Sequence, residues 1–392
     1  MKLPRLVIIT RRFWPAAGGS ERMLGNLAAE LAWRGCRVTV LTPAWDKKWS
    51  EHIYFRGASV IRLPKPHSGS FGSVRYLRAL VRWLRNNQAA YDVVYVSSLR
   101  EEARAAVDNL RGRKPVLLRA ERAGQWGDCL WQLESRHGRK IKRVCLKADA
   151  LIGPSRALER ELQAAGYPRD RIRFIPHGFP TAPQRDVQQQ AVARALLKTT
   201  NPLMTLPEKA FGELAPLAVY HGRLHPAQSV GPLLDVWKEV VRRMPDARLW
   251  LSGERSDHPD LLEQIQSLEL SQRVIPIGGF DNPRDLLSAA DLFVSAAEED
   301  DSLPLVEAMA AGLPVVAFDN EGNRAVVTGG RQGLLTPPHQ SGTMADAVCR
   351  LLDDAQLAQE MGTAGKIRAE SEFPLAKMVD RHVTLLEELT GD

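Results

Sequence analysis

A chain of 392 residues exceeds what one hydrophobic core serves, so two domains are expected, and 44% hydrophobic with 25% charged residues is the balance of a globular protein, not a disordered or fibrous one. No apolar run nears bilayer length, the apolar core of the N-terminal stretch is too short for a signal peptide and runs into Arg11 and Arg12, and Cys36, Cys129, Cys145 and Cys349 show no Cys-x-x-Cys spacing, which argues against a disulfide framework or zinc site and for a reducing cytoplasm. The net charge of +7 hides an asymmetry: residues 1–200 carry 37 Lys and Arg against 16 Asp and Glu, a balance of +21, and the remainder stands at −14.

In chain order, a strand over 6–10 leads to a helix over 20–33. Strands over 37–41 and 58–63 follow, then a helix over 72–86. Strands over 93–96, 115–119 and 150–153, a helix over 155–165 and a strand over 172–175 complete a first half in βαβ rhythm. The rhythm breaks over 185–215, where prolines and the Gln188–Gln190 run read as a linker or variable loop. It restarts with strands over 218–222, 248–252, 274–277, 292–295, 314–318 and 333–336, with helices between the earlier ones and closing helices after the last. The pattern predicts two doubly wound α/β domains with a cleft between them.

The most informative stretch is Ser295–Pro314. Glu299 and Glu307 stand eight positions apart, the first just past a strand end, the second inside a helix over 304–311 that Gly312 closes. Between them the helix start, Ser302 to Leu305, offers N–H groups suited to an anion. A solvated acidic turn, Glu298–Asp301, is the plain alternative. Other strand-to-loop turns carry glycine: Gly18-Gly19 after the first strand, Gly222-Arg223 with a guanidinium suited to a pyrophosphate, Gly253-Glu254, and Gly278-Gly279-Phe280. His177, in Pro176-His177-Gly178, reads equally as a packed turn histidine. All of these fall at the carboxyl ends of parallel strands.

Those residues resemble a retaining glycosyltransferase of family 4 (glycosyl transferases group 1) with the GT-B fold, two Rossmann-like domains facing across a cleft, and the likeness covers nearly the whole chain. Its carriers are Gly18-Gly19, Pro176-His177-Gly178, Gly222-Arg223-Leu224, Gly253-Glu254 and Glu299-x7-Glu307 with Ala308-Met-Ala-Ala-Gly312-Leu-Pro314. The resemblance implies an acceptor domain over 1–184, a nucleotide-sugar domain over 216–372, and a final helix over 373–392 crossing back to the first domain. It implies Arg223 and Glu299 in catalysis. It places the donor against Gly18, Gly19, Gly222, Gly253, Glu254, Gly279, Phe280, Ser302, Leu303, Leu305 and Glu307, with Glu307 on the ribose. Arg223 and the two glutamates are expected to converge on one pocket between the lobes. No metal and no cofactor are expected: the partners are a nucleoside diphosphate sugar and a glycan or lipid-linked acceptor.

The chain departs from the family pattern at three places. Gln228 stands where a lysine usually follows Gly-Arg-Leu, Ser97 and Ser98 where a histidine often follows the strand over 93–96, and Glu121 where many relatives carry histidine. Ser97, Glu121 and His177 are therefore the acceptor-side candidates, and a degenerate, non-catalytic sugar-nucleotide-binding protein is the alternative. The basic first half offers Arg75, Arg78, Arg82 and Arg85 flanking an apolar stripe Val74, Leu77, Val81 and Leu84, and a second cluster at Arg136–Lys147. Peripheral contact with an anionic membrane at its inner face competes with a core helix bearing a solvated basic edge. No nucleic-acid motif accompanies the charge.

Overall fold

The computed structural model describes residues 3–16, 18–66, 70–124, 127–180, 187–200, 215–224, 229–253, 258–279, 283–297 and 302–391. The first half runs β1 (Leu6–Ile9), α1 (Gly19–Trp33), β2 (Val38–Pro43), β3 (His52–Phe55), β4 (Ala58–Leu63), α2 (Ser70–Asn86), β5 (Val93–Val96), α3 (Glu101–Leu110), β6 (Val116–Arg119), α4 (Asp128–Glu134), α5 (Gly138–Cys145), β7 (Ala150–Gly153), α6 (Arg156–Ala164) and β8 (Ile172–Phe174). The second runs α7 (Val187–Thr200), β9 (Leu217–His221), α8 (Gly231–Arg243), β10 (Arg248–Ser252), α9 (Pro259–Ser267), β11 (Val274–Pro276), α10 (Arg284–Ala289), β12 (Leu292–Ser295), α11 (Leu303–Ala310), β13 (Val315–Phe318), α12 (Glu321–Val326), β14 (Gly333–Thr336), α13 (Ser341–Asp353) and α14 (Ala355–Glu372), and α15 (Leu375–Thr390) ends the chain.

Two compact units emerge. The first holds residues 1–16, 20–178 and 375–392, and the second holds 17–19 and 179–374. The first unit's sheet has the order β3-β4-β2-β1-β5-β6-β7-β8, parallel except for the antiparallel hairpin β3–β4. Strands such as β1 and β5 are buried at every position, as continuous Val, Ile and Tyr runs must be when helices cover both faces. On one face α2, α3 and α5 bury Leu80, Leu84, Ala103, Val107 and Ile141; on the other α1 and α15 bury Leu24, Leu27, Met378 and Leu386.

In the second unit the order β11-β10-β9-β12-β13-β14 is wholly parallel. Chain direction across the sheet reverses between β9 and β12. In the first unit the same reversal falls between β1 and β5. Such switch points leave a crevice outside the strands' carboxyl ends, because the flanking connections depart to opposite faces.

Two readings of the sequence are corrected. The stretch over 185–215 is not linker at its start: α7 buries Ala193 and Leu197 against the core of the second unit. Gln190 and Arg194 bond Asp291 at 2.6 and 2.9 Å. Asp291 also accepts the Leu217 N–H at 2.9 Å, so one carboxylate ties α7 to the start of β9. On α2 the buried row is Tyr76, Leu80 and Leu84, while Val74 is exposed, because the helix leans its 76–80–84 row, not the 74–77–81 row, onto the sheet. Arg75, Arg78, Arg82 and Arg85 are exposed.

Candidate functional site

In the second unit three glycine turns meet at the carboxyl end of adjacent strands. The Gly222 N–H donates to the Ser252 carbonyl at 2.9 Å, and the Gly253 N–H to the Gly278 carbonyl at 3.0 Å. This lateral ladder draws the backbones so close that a Cβ on Gly253 would lie 1.9 Å from the Gly222 carbonyl oxygen. Gly278 takes φ of +86°, a conformation that side chains resist. Arg223, exposed, follows directly, its carbonyl accepting the Tyr220 Oη at 3.0 Å and the Ser229 Oγ at 2.6 Å. Two hydroxyls on one carbonyl fix the turn from which the guanidinium projects.

Across the switch point, β12 leads toward α11. Ser302 sits at its N-cap without a side-chain cap bond, and Pro304 occupies the first turn. The positive end of the helix dipole therefore faces the sheet's carboxyl edge, beside the turn that carries Arg223. Leu303 and Leu305 are buried and anchor the first turn, and Glu307, half-buried, lies one turn in. The helix stops at Gly312 with φ of +78°, where Leu313 N–H bonds Ala308 and Gly312 N–H bonds Met309, the Schellman arrangement. The structure thus brings Gly222, Arg223, Gly253, Gly279, Ser302, Leu303, Leu305 and Glu307 to one edge of one sheet. Gly18 and Gly19 group with this unit. Gln228, Glu254, Phe280 and Glu299 lie outside the described residues.

The first unit carries a polar cluster at the carboxyl ends of β5, β6 and β8. Arg119 is 2% exposed, and among the described residues its guanidinium makes two long contacts, Nη1 to Ser97 Oγ and Nη2 to His177 Nε2, both 3.4 Å. A guanidinium only donates, so His177 accepts through Nε2 and carries its proton on Nδ1. Burial, with the Arg119 charge beside it, holds His177 well below the usual histidine range and keeps it neutral. Ser97 Oγ donates onward to Glu121 Oε1 at 3.2 Å. Burial, reinforced by Asp128 and opposed by Arg119, pushes the Glu121 carboxyl up to about 7. Asp128 accepts the Glu121 backbone N–H at 2.8 Å and Arg100 Nε at 3.2 Å, which pins the loop. Ser97, Glu121 and His177 thus form one chain of contacts through Arg119.

Arg119 and Asp128 escape a sequence reading. The former looks like the polar end of a strand and the latter like a loop acid. The available signal is the charge at the end of the otherwise apolar run Val116-Leu-Leu. Beneath the cluster, the Tyr95 hydroxyl and His382 Nε2 are buried without hydrogen-bond partners among the described residues, and burial lowers His382 to about 4. Across the β1–β5 switch point, Arg11 Nε faces the buried Glu102 carboxylate at 3.1 Å. Among the described residues no three His, Cys, Asp or Glu side chains gather as a metal site.

The family described as "Glycosyl transferases group 1" matches residues 215–354, and "Glycosyltransferase Family 4" matches residues 17–182. The chain is 23% identical over 397 residues to N-acetyl-alpha-D-glucosaminyl L-malate synthase of Bacillus anthracis, covering 97% of this chain and 96% of that protein. It is 31% identical over 232 residues to D-inositol 3-phosphate glycosyltransferase of Nocardia farcinica, covering 56% of this chain and 49% of that protein. Among solved structures, Anabaena HepE in complex with UDP and glucose superposes with a TM-score of 0.75 at 20% identity over 98% of this chain and all of that one. Sucrose-phosphate synthase from Thermosynechococcus elongatus gives 0.78 at 22% identity over 99% of each chain. These structures share the fold.

Proposed function

The chain belongs to the glycosyltransferases of group 1, family 4, and on that premise we propose that it moves a sugar from a nucleoside diphosphate donor to a glycan or lipid-linked acceptor, with retention and without a metal ion. One observation carries the donor half of this reading. The ladder Gly222–Gly253–Gly278, the guanidinium of Arg223 and the amino end of α11 all occupy the switch-point edge of the second unit's sheet. Backbone without side chains lets a phosphate approach closely, and a cation with a helix dipole neutralises it. Glu307, one turn into α11, takes the ribose hydroxyls, and Glu299 the donor sugar. The UDP seen with HepE makes a uridine donor the first to test.

In the reaction, the acceptor oxygen bonds to the anomeric carbon on the face that the diphosphate leaves. The carbon–oxygen bond to the diphosphate breaks, its electron pair goes to the phosphate oxygen, and that oxygen takes the acceptor's proton. Arg223 and the α11 dipole stabilise the charge that develops. Ser97, Glu121 and His177 supply the acceptor side in the first unit. Thermal shift against nucleoside diphosphate sugars, then proton NMR of the product anomer, tests the proposal: the donor's α configuration should persist in the product.

The degenerate reading rests on Gln228, which removes a family cation. Donor binding without transfer or hydrolysis would favour it. A cytoplasmic location at an anionic membrane face is supported by the exposed arginines of α2 and by Arg139, Lys140 and Arg143 on α5, both helices packing against α3. No helix among the described residues is long and apolar enough to cross a membrane.

A further inference from the structure

The loops after β1, β2 and β4 form a second polar centre in the first unit. Arg62, on β4, is 6% exposed. Its Nη1 donates to the Ser50 carbonyl at 2.6 Å and its Nη2 to the Trp14 carbonyl at 3.1 Å, its guanidinium carbon lies 5.1 Å from the Trp49 ring centre, and its Nε is buried without a partner among the described residues. Three residues on, exposed Lys65 holds its Nζ 5.9 Å from the Trp45 ring centre. Trp45 in turn donates its indole N–H to the Arg11 carbonyl at 2.7 Å. The three loops are therefore one connected structure at the sheet's carboxyl edge.

Its charge is unbalanced. Among the described residues neither Arg62 nor Lys65 has a carboxylate partner, since carbonyls and aromatic faces steady a cation without neutralising it. Among the described residues, the buried Glu102 carboxylate faces Arg11 Nε at 3.1 Å, and Asp46 and Glu51, on the loop after β2, are exposed. A buried guanidinium without a counterion is costly, so an anion brought to this edge gains from the uncompensated charge. Burial lowers the Arg62 pKa, in keeping with that missing counterion.

We propose that this edge binds a phosphate or carboxylate carried by the acceptor, with Lys65 contacting the anion and Arg62 supplying positive charge from beneath. The acceptor is then an acidic glycoside or sugar phosphate. Its hydroxyl is presented toward Ser97 and Glu121 across the β1–β5 switch point. This inference deepens the glycosyltransferase reading and rests on it for the word acceptor. The anion site itself stands on the residues above.

The test is calorimetric titration of the full chain, first saturated with UDP so that the second unit's phosphate site is filled. Glucose 1-phosphate, glucuronic acid and glucose are compared. The two anions should bind at least about tenfold more tightly than glucose, as expected for one charge-assisted contact. Lys65→Ala should erase most of that difference, Lys65→Arg should restore it, and UDP affinity should be unchanged in both. Equal binding of glucose and its phosphate, or anion binding that survives Lys65→Ala but fails in Arg223→Ala, would overturn the assignment. Binding to phosphatidylglycerol vesicles with none to the soluble anions would overturn it too, in favour of a membrane headgroup as the source of the phosphate. Failure of the donor reading would appear separately, as no UDP binding by the unaltered chain.

Discussion

Substituting Gly253 by alanine should damage both folding and donor binding. The new Cβ would lie 1.9 Å from the Gly222 carbonyl oxygen, whereas ordinary contact begins at 3.4 Å, so about 1.5 Å of separation must be found. The obstacle is backbone, which cannot rotate aside. Two bonds of the ladder, Gly222 to Ser252 and Gly253 to Gly278, share the strain. Overpacking costs about 1–3 kcal/mol and each of the two weakened hydrogen bonds about 1 kcal/mol, so a loss of about 3–5 kcal/mol is expected. Arg223 is one residue from the displaced carbonyl, and a shift near 1 Å at a positioning group costs about a hundredfold in rate. Urea unfolding reads the first effect and turnover of the donor that binds reads the second. Gly342→Ala is the control: nothing lies within 4 Å of its Cβ, and the change should be neutral or stabilising by about 0.4–1 kcal/mol. A Gly253→Ala chain with unaltered stability and turnover would refute the close-approach argument.

Glu121 should make stability fall with rising pH. Its carboxyl titrates near 7 when folded, above the ordinary 4.5, so between those values the folded chain holds a proton that the unfolded chain lacks. Urea unfolding from pH 4.5 to 8 should show this slope, and Glu121→Gln should flatten it; an identical slope in both would contradict the assignment. Arg223→Ala should lower turnover by about a hundredfold or more, with folding unaffected because the side chain is exposed. Asp291→Ala should destabilise by about 2–4 kcal/mol, since it leaves Arg194, Gln190 and the Leu217 N–H without their shared acceptor, measurable by urea unfolding. Flotation with phosphatidylglycerol vesicles at low salt should vanish near 1 M sodium chloride, where the screening length is about 3 Å, and absence of flotation at low salt would remove the membrane proposal.

The buried strands are legible in the sequence because a parallel strand covered on both faces must be apolar throughout, as Val93–Val96 and Leu292–Ser295 are. The GT-B fold and the glycine turns of the second unit follow from that pattern with the motifs. Elements set by tertiary contact are less visible. Strand β3 alternates exposed and half-buried residues at a sheet edge, too short to stand out. Helix α7 hides in a proline- and glutamine-rich stretch, and its stability comes from Asp291, a hundred residues away. Arg62 and Arg119 look like ordinary strand-end arginines, because their burial depends on loops that arrive from elsewhere in the chain.

The second unit's edge should bind a nucleoside diphosphate. Titration of UDP into the full chain, beside Glu307→Ala and Arg223→Ala chains matched for thermal stability, addresses it directly, with GDP and ADP run in parallel. Saturable binding of one nucleotide, weakened about tenfold or more by each substitution, is the expected result. Binding of none of the three, or equal binding by all three chains, would contradict it.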